Sequence, residues 1–264
     1  MNKELALIIG LVIPFLGTML GAAMVYILKK EISIGIKKLL LGFASGVMVS
    51  AAVWSLLIPS IDMASGLYTG ALKMIPAVVG FFIGILFLYL LDNVTPHQHI
   101  RGSEPEGPKS AISKTTKLFL AVTIHNIPEG MAMGIILAAF LTGETSITTG
   151  AAISLAIGIA IQNFPEGAIV SMPFEVEGNS RTKSFILGML SGLVEPVAAV
   201  LMILLKDILM PIMPYLLSFA SGAMIYVVIE ELLPESYDNK HSNMPTFGFA
   251  FGFILMMVLD VIFG

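Results

Sequence analysis

Eight long apolar runs constrain the fold of this 264-residue chain more than any other feature. A helix needs about 20 apolar residues to cross the hydrocarbon core of a bilayer. The runs predict spanning helices over roughly residues 5–28, 36–58, 75–92, 116–141, 147–172, 183–206, 210–233 and 245–263. Only 12% of the residues are charged, which is about half the share of a soluble domain. The sequence therefore predicts an all-α integral membrane protein with eight transmembrane helices in one domain.

Net charge and cysteine content narrow the functional classes. The formal net charge is −4, so the chain lacks the basic field that binds nucleic acid. The chain contains no cysteine, which excludes disulfides and thiolate metal ligands. Any bound metal ion must therefore be held by oxygen and nitrogen atoms.

Lysine and arginine are concentrated in alternate connections between the predicted helices. The connections after helices 1, 3, 5 and 7 hold eleven of these residues, and the opposite side holds only Lys3, Lys73 and Lys206. Positively charged loops are retained in the cytoplasm. This pattern predicts that both termini lie outside and that the long loop, about residues 93–115, is cytoplasmic.

An internal repeat links predicted helices 2 and 7. Residues 43–48 read Phe-Ala-Ser-Gly-Val-Met, and residues 219–224 read Phe-Ala-Ser-Gly-Ala-Met. Each run is followed by a Leu-Leu pair and then by a proline. Because the two helices cross the membrane in opposite directions, we expect an inverted repeat of helices 1–3 and 6–8 around central helices 4 and 5. Such repeats are typical of transporters with a midplane site.

Two related motifs place carboxylates in the middle of predicted helices 4 and 5. Residues 125–130 read His-Asn-Ile-Pro-Glu-Gly, and residues 162–167 read Gln-Asn-Phe-Pro-Glu-Gly. The first and fifth residues of each motif are four apart, so they share one helix face. The glycine that ends each motif is expected to let helices 4 and 5 approach each other.

A third carboxylate, Glu195, lies at a similar depth in predicted helix 6. Charged groups within a bilayer are costly and generally functional, and no lysine or arginine lies at this depth to pair with them. A divalent cation would balance the charge. One imidazole with several carboxylate and amide oxygens suits zinc, iron(II), manganese or cadmium rather than copper(I). A protonated, neutral Glu195 is the alternative.

The pair of motifs resembles the ZIP (Zrt/Irt-like) family, and the second motif is similar to that of its GufA/ZupT-like prokaryotic branch. The resemblance implies a homodimeric transporter of the plasma or inner membrane that carries zinc, iron(II), manganese or cadmium into the cytoplasm and has no prosthetic group. It also implies an elevator-like shift of helices 1, 4, 5 and 6 against helices 2, 3, 7 and 8.

The resemblance further implies a binuclear site. One ion would be held by His125, Glu129, Gln162 and Glu166. The second ion would be held by Asn126, Glu129, Asn163, Glu166 and Glu195. Some family members have histidine at the position of Gln162 and aspartate at that of Asn163, so this chain offers weaker, uncharged ligands there.

Five further residues are candidates for the pathway of the ion. Asp62 follows the outer end of predicted helix 2, His97 and His99 open the cytoplasmic loop, and Glu230 and Glu231 lie near the inner end of predicted helix 7. For each of them, an ordinary solvated side chain is the alternative interpretation.

Two other functional classes are alternatives to a carrier. The His-Glu-x-x-His sequence of metalloproteases and the Glu-x-x-His pairs of di-iron enzymes are both absent, which argues against an intramembrane metalloenzyme. A metal-selective channel remains an alternative, because channels also conduct through several weak sites.

Overall fold

The computed structural model describes residues 3–28, 32–94, 113–144, 146–237 and 242–263. Among them are eight helices long and apolar enough to cross a membrane, and no strand. They are α1 Lys3–Ile27, α2 Ile34–Ala64, α3 Gly70–Val94, α4 Lys114–Thr142, α5 Thr149–Val176, α6 Arg181–Leu204, α7 Lys206–Ser236 and α8 Met244–Phe263. The predicted all-α class with eight spans is confirmed.

Hydroxyl side chains begin the helices that follow connections. The side chains of Ser33, Ser113, Thr148 and Ser180 accept hydrogen bonds from backbone N–H groups of the first turns of α2, α4, α5 and α6. These bonds satisfy amides that have no partner within the helix. Gly143, with a φ of 82°, ends α4, because glycine adopts this left-handed conformation at little cost.

Helices α2 and α7 share an irregularity as well as a sequence. Each contains a π-helical turn, at Ala52–Leu57 in α2 and at Val228–Leu232 in α7. Each turn begins nine residues after the phenylalanine of the repeated sequence, Phe43 or Phe219. The repeat therefore extends to backbone conformation.

The two halves of the repeat are inverted. Ser60 donates to the carbonyl oxygen of Pro214 at 2.6 Å, and Ser221 donates to that of Ala52 at 2.8 Å, so α2 and α7 run antiparallel. Their partner helices pack alike, since Gly252 of α8 lies against the backbone of Phe43 and Gly84 of α3 lies against that of Phe219. The predicted inverted repeat of helices 1–3 and 6–8 is confirmed.

Helix contacts divide the eight helices into two bundles. The most extensive contacts join α1 to α5 and α4 to α6 in one group, and α2 to α8 and α3 to α7 in the other. We call α1, α4, α5 and α6 the motif bundle, because it carries both motifs, and α2, α3, α7 and α8 the repeat bundle. Across the boundary, α4 contacts α7, and α5 contacts α2 and α8.

The motif glycines pack differently from the prediction. Gly130 lies against the backbone of Glu195 in α6, and Gly167 lies against that of Thr18 in α1. The expectation that they bring α4 and α5 together is wrong. Each glycine instead admits a flanking helix, because the side chains of Glu129 and Gln162 already occupy the space between α4 and α5.

Candidate metal centre

Hydrogen bonds between motif side chains join three helices of the motif bundle. The side-chain nitrogen of Gln162 in α5 donates to Oε1 of Glu129 in α4 at 2.7 Å. The side-chain nitrogen of Asn163, the next residue, donates to Oε2 of Glu195 in α6 at 2.8 Å. All four side chains are buried. The structure thus assembles predicted ligands from both motifs and from α6 in one place.

The backbone of the motif helices bears on this arrangement. Helices α4 and α5 continue through Pro128 and Pro165. Because proline has no N–H group, the carbonyl oxygen four residues earlier loses its helical partner. Helix α6 is interrupted at Leu193, between Arg181–Gly192 and Val194–Leu204, and Glu195 therefore lies in the first turn of a new helical segment.

Two further side chains orient the ligands at the α6 side of the centre. Thr18 of α1 donates to Oε1 of Glu195 at 3.3 Å. Asn126 donates through its side-chain nitrogen to the carbonyl oxygen of Ser191 at 3.0 Å. Helix α1 therefore contributes a positioning contact although it carries none of the predicted ligands.

Several buried oxygen atoms at this centre have no hydrogen-bond donor. They are Oδ1 of Asn126, Oε2 of Glu129, Oε1 of Gln162 and Oδ1 of Asn163. A buried acceptor without a partner costs roughly 1–3 kcal/mol, so four of them in one cluster need an explanation. In each amide the nitrogen donates to the protein and leaves the oxygen available. Oxygen atoms of this kind could coordinate a divalent cation.

A second cluster joins the two bundles beside the first. Nδ1 of His125 lies 2.7 Å from Oε2 of Glu231 in α7, and Nε2 lies 3.9 Å from Oδ1 of Asp92 in α3. One ligand atom of each of these three residues lies within 4.8 Å of the others. The hydroxyl of Tyr226 lies close to Asp92. This geometry could itself hold a metal ion.

A narrow cavity lies beside the second cluster. It has a volume of about 30 Å³ and is lined by His125, Glu166, Glu231 and Glu235, among others. Glu235 belongs to the last turn of α7, so the cavity opens toward the end of the bundle that is predicted to be cytoplasmic. Glu166 thus shares this cavity with two residues of the second cluster, His125 and Glu231.

The comparisons with known proteins agree with the motifs. Residues 97–260 match the family model described as ZIP Zinc transporter. The chain belongs to the ZIP family. It is 36% identical to Zinc transporter ZIPB of Bordetella bronchiseptica, over 97% of this chain and 81% of that protein. Zinc transporter GufA of Myxococcus xanthus is 32% identical over 80% and 81% of the two chains. Zinc transporter ZupT of Chlorobaculum parvum is 32% identical over 89% and 90%.

These matches place this ZIP protein in the GufA/ZupT-like branch, as predicted. The family is one of transporters rather than of enzymes, which agrees with the absence of protease and di-iron motifs. Its eight spans make the protein a multi-pass membrane protein.

Not every predicted pathway residue of this ZIP protein lies near the centre. Glu231 is buried against His125, whereas its neighbour Glu230 is exposed. Asp62 is exposed in the last turns of α2. His97 and His99 lie outside the described residues.

Two residues of the second cluster were not predicted from the sequence. Asp92 ends an apolar run and borders a proline-containing loop, and Tyr226 is one of several tyrosines in the spans. A signal for Asp92 does exist in the repeat, because it follows Gly84 by eight residues as Asp260 follows Gly252.

Proposed function

We propose that this protein is a carrier of divalent transition-metal ions. Zinc is the principal substrate, iron(II), manganese and cadmium are further substrates, and the direction is into the cytoplasm. The observation that carries the proposal is the set of buried oxygen atoms without donors at the candidate metal centre. Oxygen and imidazole ligands suit these ions. The relatives bear the name zinc transporter.

The centre would hold two ions that share carboxylates. His125, Glu129, Gln162 and Glu166 would form the first subsite. Asn126, Glu129, Asn163, Glu166 and Glu195 would form the second subsite. Two contacts support this division, since Gln162 is bonded to Glu129 and Asn163 is bonded to Glu195. Shared carboxylates bind each ion less tightly than a closed cage, which suits an ion that must leave.

The cavity supports alternating access rather than a continuous channel. Leu118 and Val122 of α4 line the inner cavity. The residues at the same motif positions in α5 are Leu155 and Ile159, and both are fully buried. The pathway is therefore open at one end and packed at the other. An elevator-like movement of the motif bundle against the repeat bundle would close the inner end of the pathway and open the outer end.

Release would proceed through the second cluster toward the cytoplasm. Asp92 and Glu231 already contact His125, which makes them the next ligands along the cavity. The loop that bears His97 and His99 would receive the ion after them, and Asp62 would attract cations outside. We further propose a single transporter domain in the plasma or inner membrane, with both termini outside, that assembles as a homodimer.

Uptake by proteoliposomes tests the function. Purified protein would be reconstituted, and entry of zinc, iron(II), manganese and cadmium would be measured beside Glu166→Ala and the exposed control Glu230→Ala. We expect saturable uptake that ranks zinc first, is abolished in Glu166→Ala and is preserved in Glu230→Ala. Uptake that rises linearly with metal concentration, or survives Glu166→Ala, would overturn the proposal.

A further inference from the structure

A buried carboxylate outside the candidate metal centre joins the two bundles. Asp260, near the end of α8, accepts hydrogen bonds from Ser55 of α2 at 2.9 and 3.0 Å and from Ser154 of α5 at 2.7 Å. Ser55 and Asp260 belong to the repeat bundle, whereas Ser154 belongs to the motif bundle. The contact therefore crosses the boundary along which the proposed movement occurs.

The inverted repeat gives this contact a counterpart. Asp260 follows Gly252 by eight residues, as Asp92 follows Gly84. Ser55 lies twelve residues after Phe43, and Glu231 lies twelve residues after Phe219. The pair Asp260–Ser55, which we call the outer dock, is thus the repeat equivalent of the pair Asp92–Glu231, the inner dock.

The two docks contact the motif bundle at different distances from the motifs. The inner dock contacts His125, the first residue of the α4 motif. The outer dock contacts Ser154, which lies eight residues before Gln162, the first residue of the α5 motif. Eight residues correspond to about 12 Å along a helix. The equivalent position in α4, eight residues before His125, is Lys117.

Lys117 is suited to occupy the inner dock when His125 leaves it. It is only 5% exposed, although it lies within a membrane-spanning helix. An ammonium group on a membrane-spanning helix is stabilised by carboxylate partners, and the inner dock offers two carboxylates.

We propose that the motif bundle alternates between the two docks, an inference that rests on the proposed carrier function. With the site facing inward, Ser154 occupies the outer dock and His125 the inner dock. With the site facing outward, the bundle lies about 12 Å further out, Gln162 meets the outer dock, and Lys117 pairs with the inner dock. Ser154 and Lys117 are positioning residues that stabilise opposite conformations.

Thiol labelling measures this equilibrium directly, because the protein contains no cysteine of its own. Ile159→Cys reports on the outward-facing form, since the equivalent Val122 lines the inner cavity. A membrane-impermeant maleimide would be added from outside to oriented proteoliposomes. We expect Ser154→Ala to speed labelling at least fivefold, the effect of losing one hydrogen bond to a carboxylate. Lys117→Met should slow labelling by at least as much.

Matched variants distinguish the loss of a docking contact from a general structural defect. Ser154→Thr and Lys117→Arg should restore the original rate, and Lys114→Met, an exposed lysine one turn away, should leave it unchanged. Opposite shifts would support the docks, because a structural defect would move both variants in the same direction. If both variants change the labelling rate in the same direction, or neither changes it, the proposal of two docks is wrong, whereas the proposed carrier function is unaffected. Zinc uptake with no labelling of Ile159→Cys or Leu155→Cys in any variant would overturn the elevator movement as well.

Discussion

The side-chain amides of Gln162 and Asn163 have two separate roles at the candidate metal centre. Their nitrogen atoms hold Glu129 and Glu195 in place, at 2.7 and 2.8 Å. Their oxygen atoms remain without donors. An amide can do both because it carries a donor and an acceptor on one planar group. The uncharged ligands thus fix the geometry of the carboxylates as well as contributing oxygen atoms.

Replacing the amide by a stronger ligand should trap the ion. In Gln162→His, an imidazole nitrogen would replace an amide oxygen, and imidazole binds zinc more firmly. We expect the KM for zinc uptake to fall by about threefold or more, which corresponds to roughly 0.7 kcal/mol, with a lower kcat because release is slower. Initial rates of zinc uptake across a concentration series provide the measurement. An unchanged or higher KM would argue that Gln162 does not touch the ion.

The neighbours Glu230 and Glu231 provide a matched pair. Only Glu231 is buried against His125, so Glu231→Gln removes a charge from the release route whereas Glu230→Gln removes a solvated one. A hydrogen bond between charged groups is worth about 1.5–3 kcal/mol. We expect zinc uptake to fall at least tenfold, or about 1.4 kcal/mol, in Glu231→Gln. Equal activities of the two variants would exclude the inner cluster from the pathway.

The motif residues could be predicted because their chemistry is local in sequence. His125 and Glu129 share a helix face through their spacing alone, and the second motif repeats the first. Asp92 and Tyr226 join the centre through tertiary packing, which brings α3 and α7 to His125. No spacing along one helix encodes such a contact, and only the equivalence of Asp92 with Asp260 hints at it.

At the level of helices, close approach between backbones determines the shape of the motif bundle. Gly130 of α4 admits the backbone of Glu195, and Gly134, one turn later, admits that of Ala199. Small residues allow such contacts between membrane helices. The position of Glu195 therefore depends on a glycine in another helix.

Adding one methyl group at this contact should destabilise the protein. In Gly130→Ala the new Cβ would overlap the backbone of Glu195, which cannot move aside as a flexible side chain would. Overpacking costs about 1–3 kcal/mol, so we expect the Tm of the detergent-purified protein to fall by about 5 °C. Gly35→Ala is the control, because no atom lies within 4 Å of its added Cβ. Equal Tm values for both variants would contradict the packing.

Helix existence could be predicted from apolar length, but helix irregularities could not. The π-helical turns Ala52–Leu57 and Val228–Leu232 and the break at Leu193 lie inside runs that the apolar pattern predicts as continuous helices. A proline follows both π-helical turns, and Pro196 follows the break. Proline indicates where a helix is weakened, whereas its neighbours decide which irregularity forms.

At the level of the whole molecule, the division into two bundles implies which helices move together. Contacts within the motif bundle and within the repeat bundle exceed those between the bundles. The contacts between them involve chiefly α4 and α5, which carry the motifs. A rigid movement of one bundle would therefore carry the complete metal centre without separating its ligands.

Two glycine contacts allow this division to be tested by cross-linking. Gly10 of α1 faces Leu137 of α4 within the motif bundle, where an added Cβ would lie 2.9 Å from the flexible end of the leucine side chain. Gly158 of α5 faces Met256 of α8 across the boundary. Both residues of each pair would be replaced by cysteine and joined with a reversible methanethiosulfonate cross-linker. We expect the Gly158–Met256 cross-link to reduce zinc uptake at least tenfold, with recovery on reduction.

The cross-link between Gly10 and Leu137 should leave more than about half of the uptake intact, because these helices move as one body. Loss of uptake with this cross-link, or full activity with the cross-link between the bundles, would show that the moving unit is a different one.

The central claim is that the buried oxygen ligands of α4, α5 and α6 hold the transported ion. Equilibrium binding of zinc to the purified protein, compared between wild type and Glu129→Gln/Glu166→Gln, tests it most directly. Glutamine preserves side-chain size, so circular dichroism should be unchanged while the number of bound zinc ions falls by about two per protomer, as two shared subsites require. If the double variant binds as many zinc ions as the wild type with the same affinity, the ion is held elsewhere and the account is wrong.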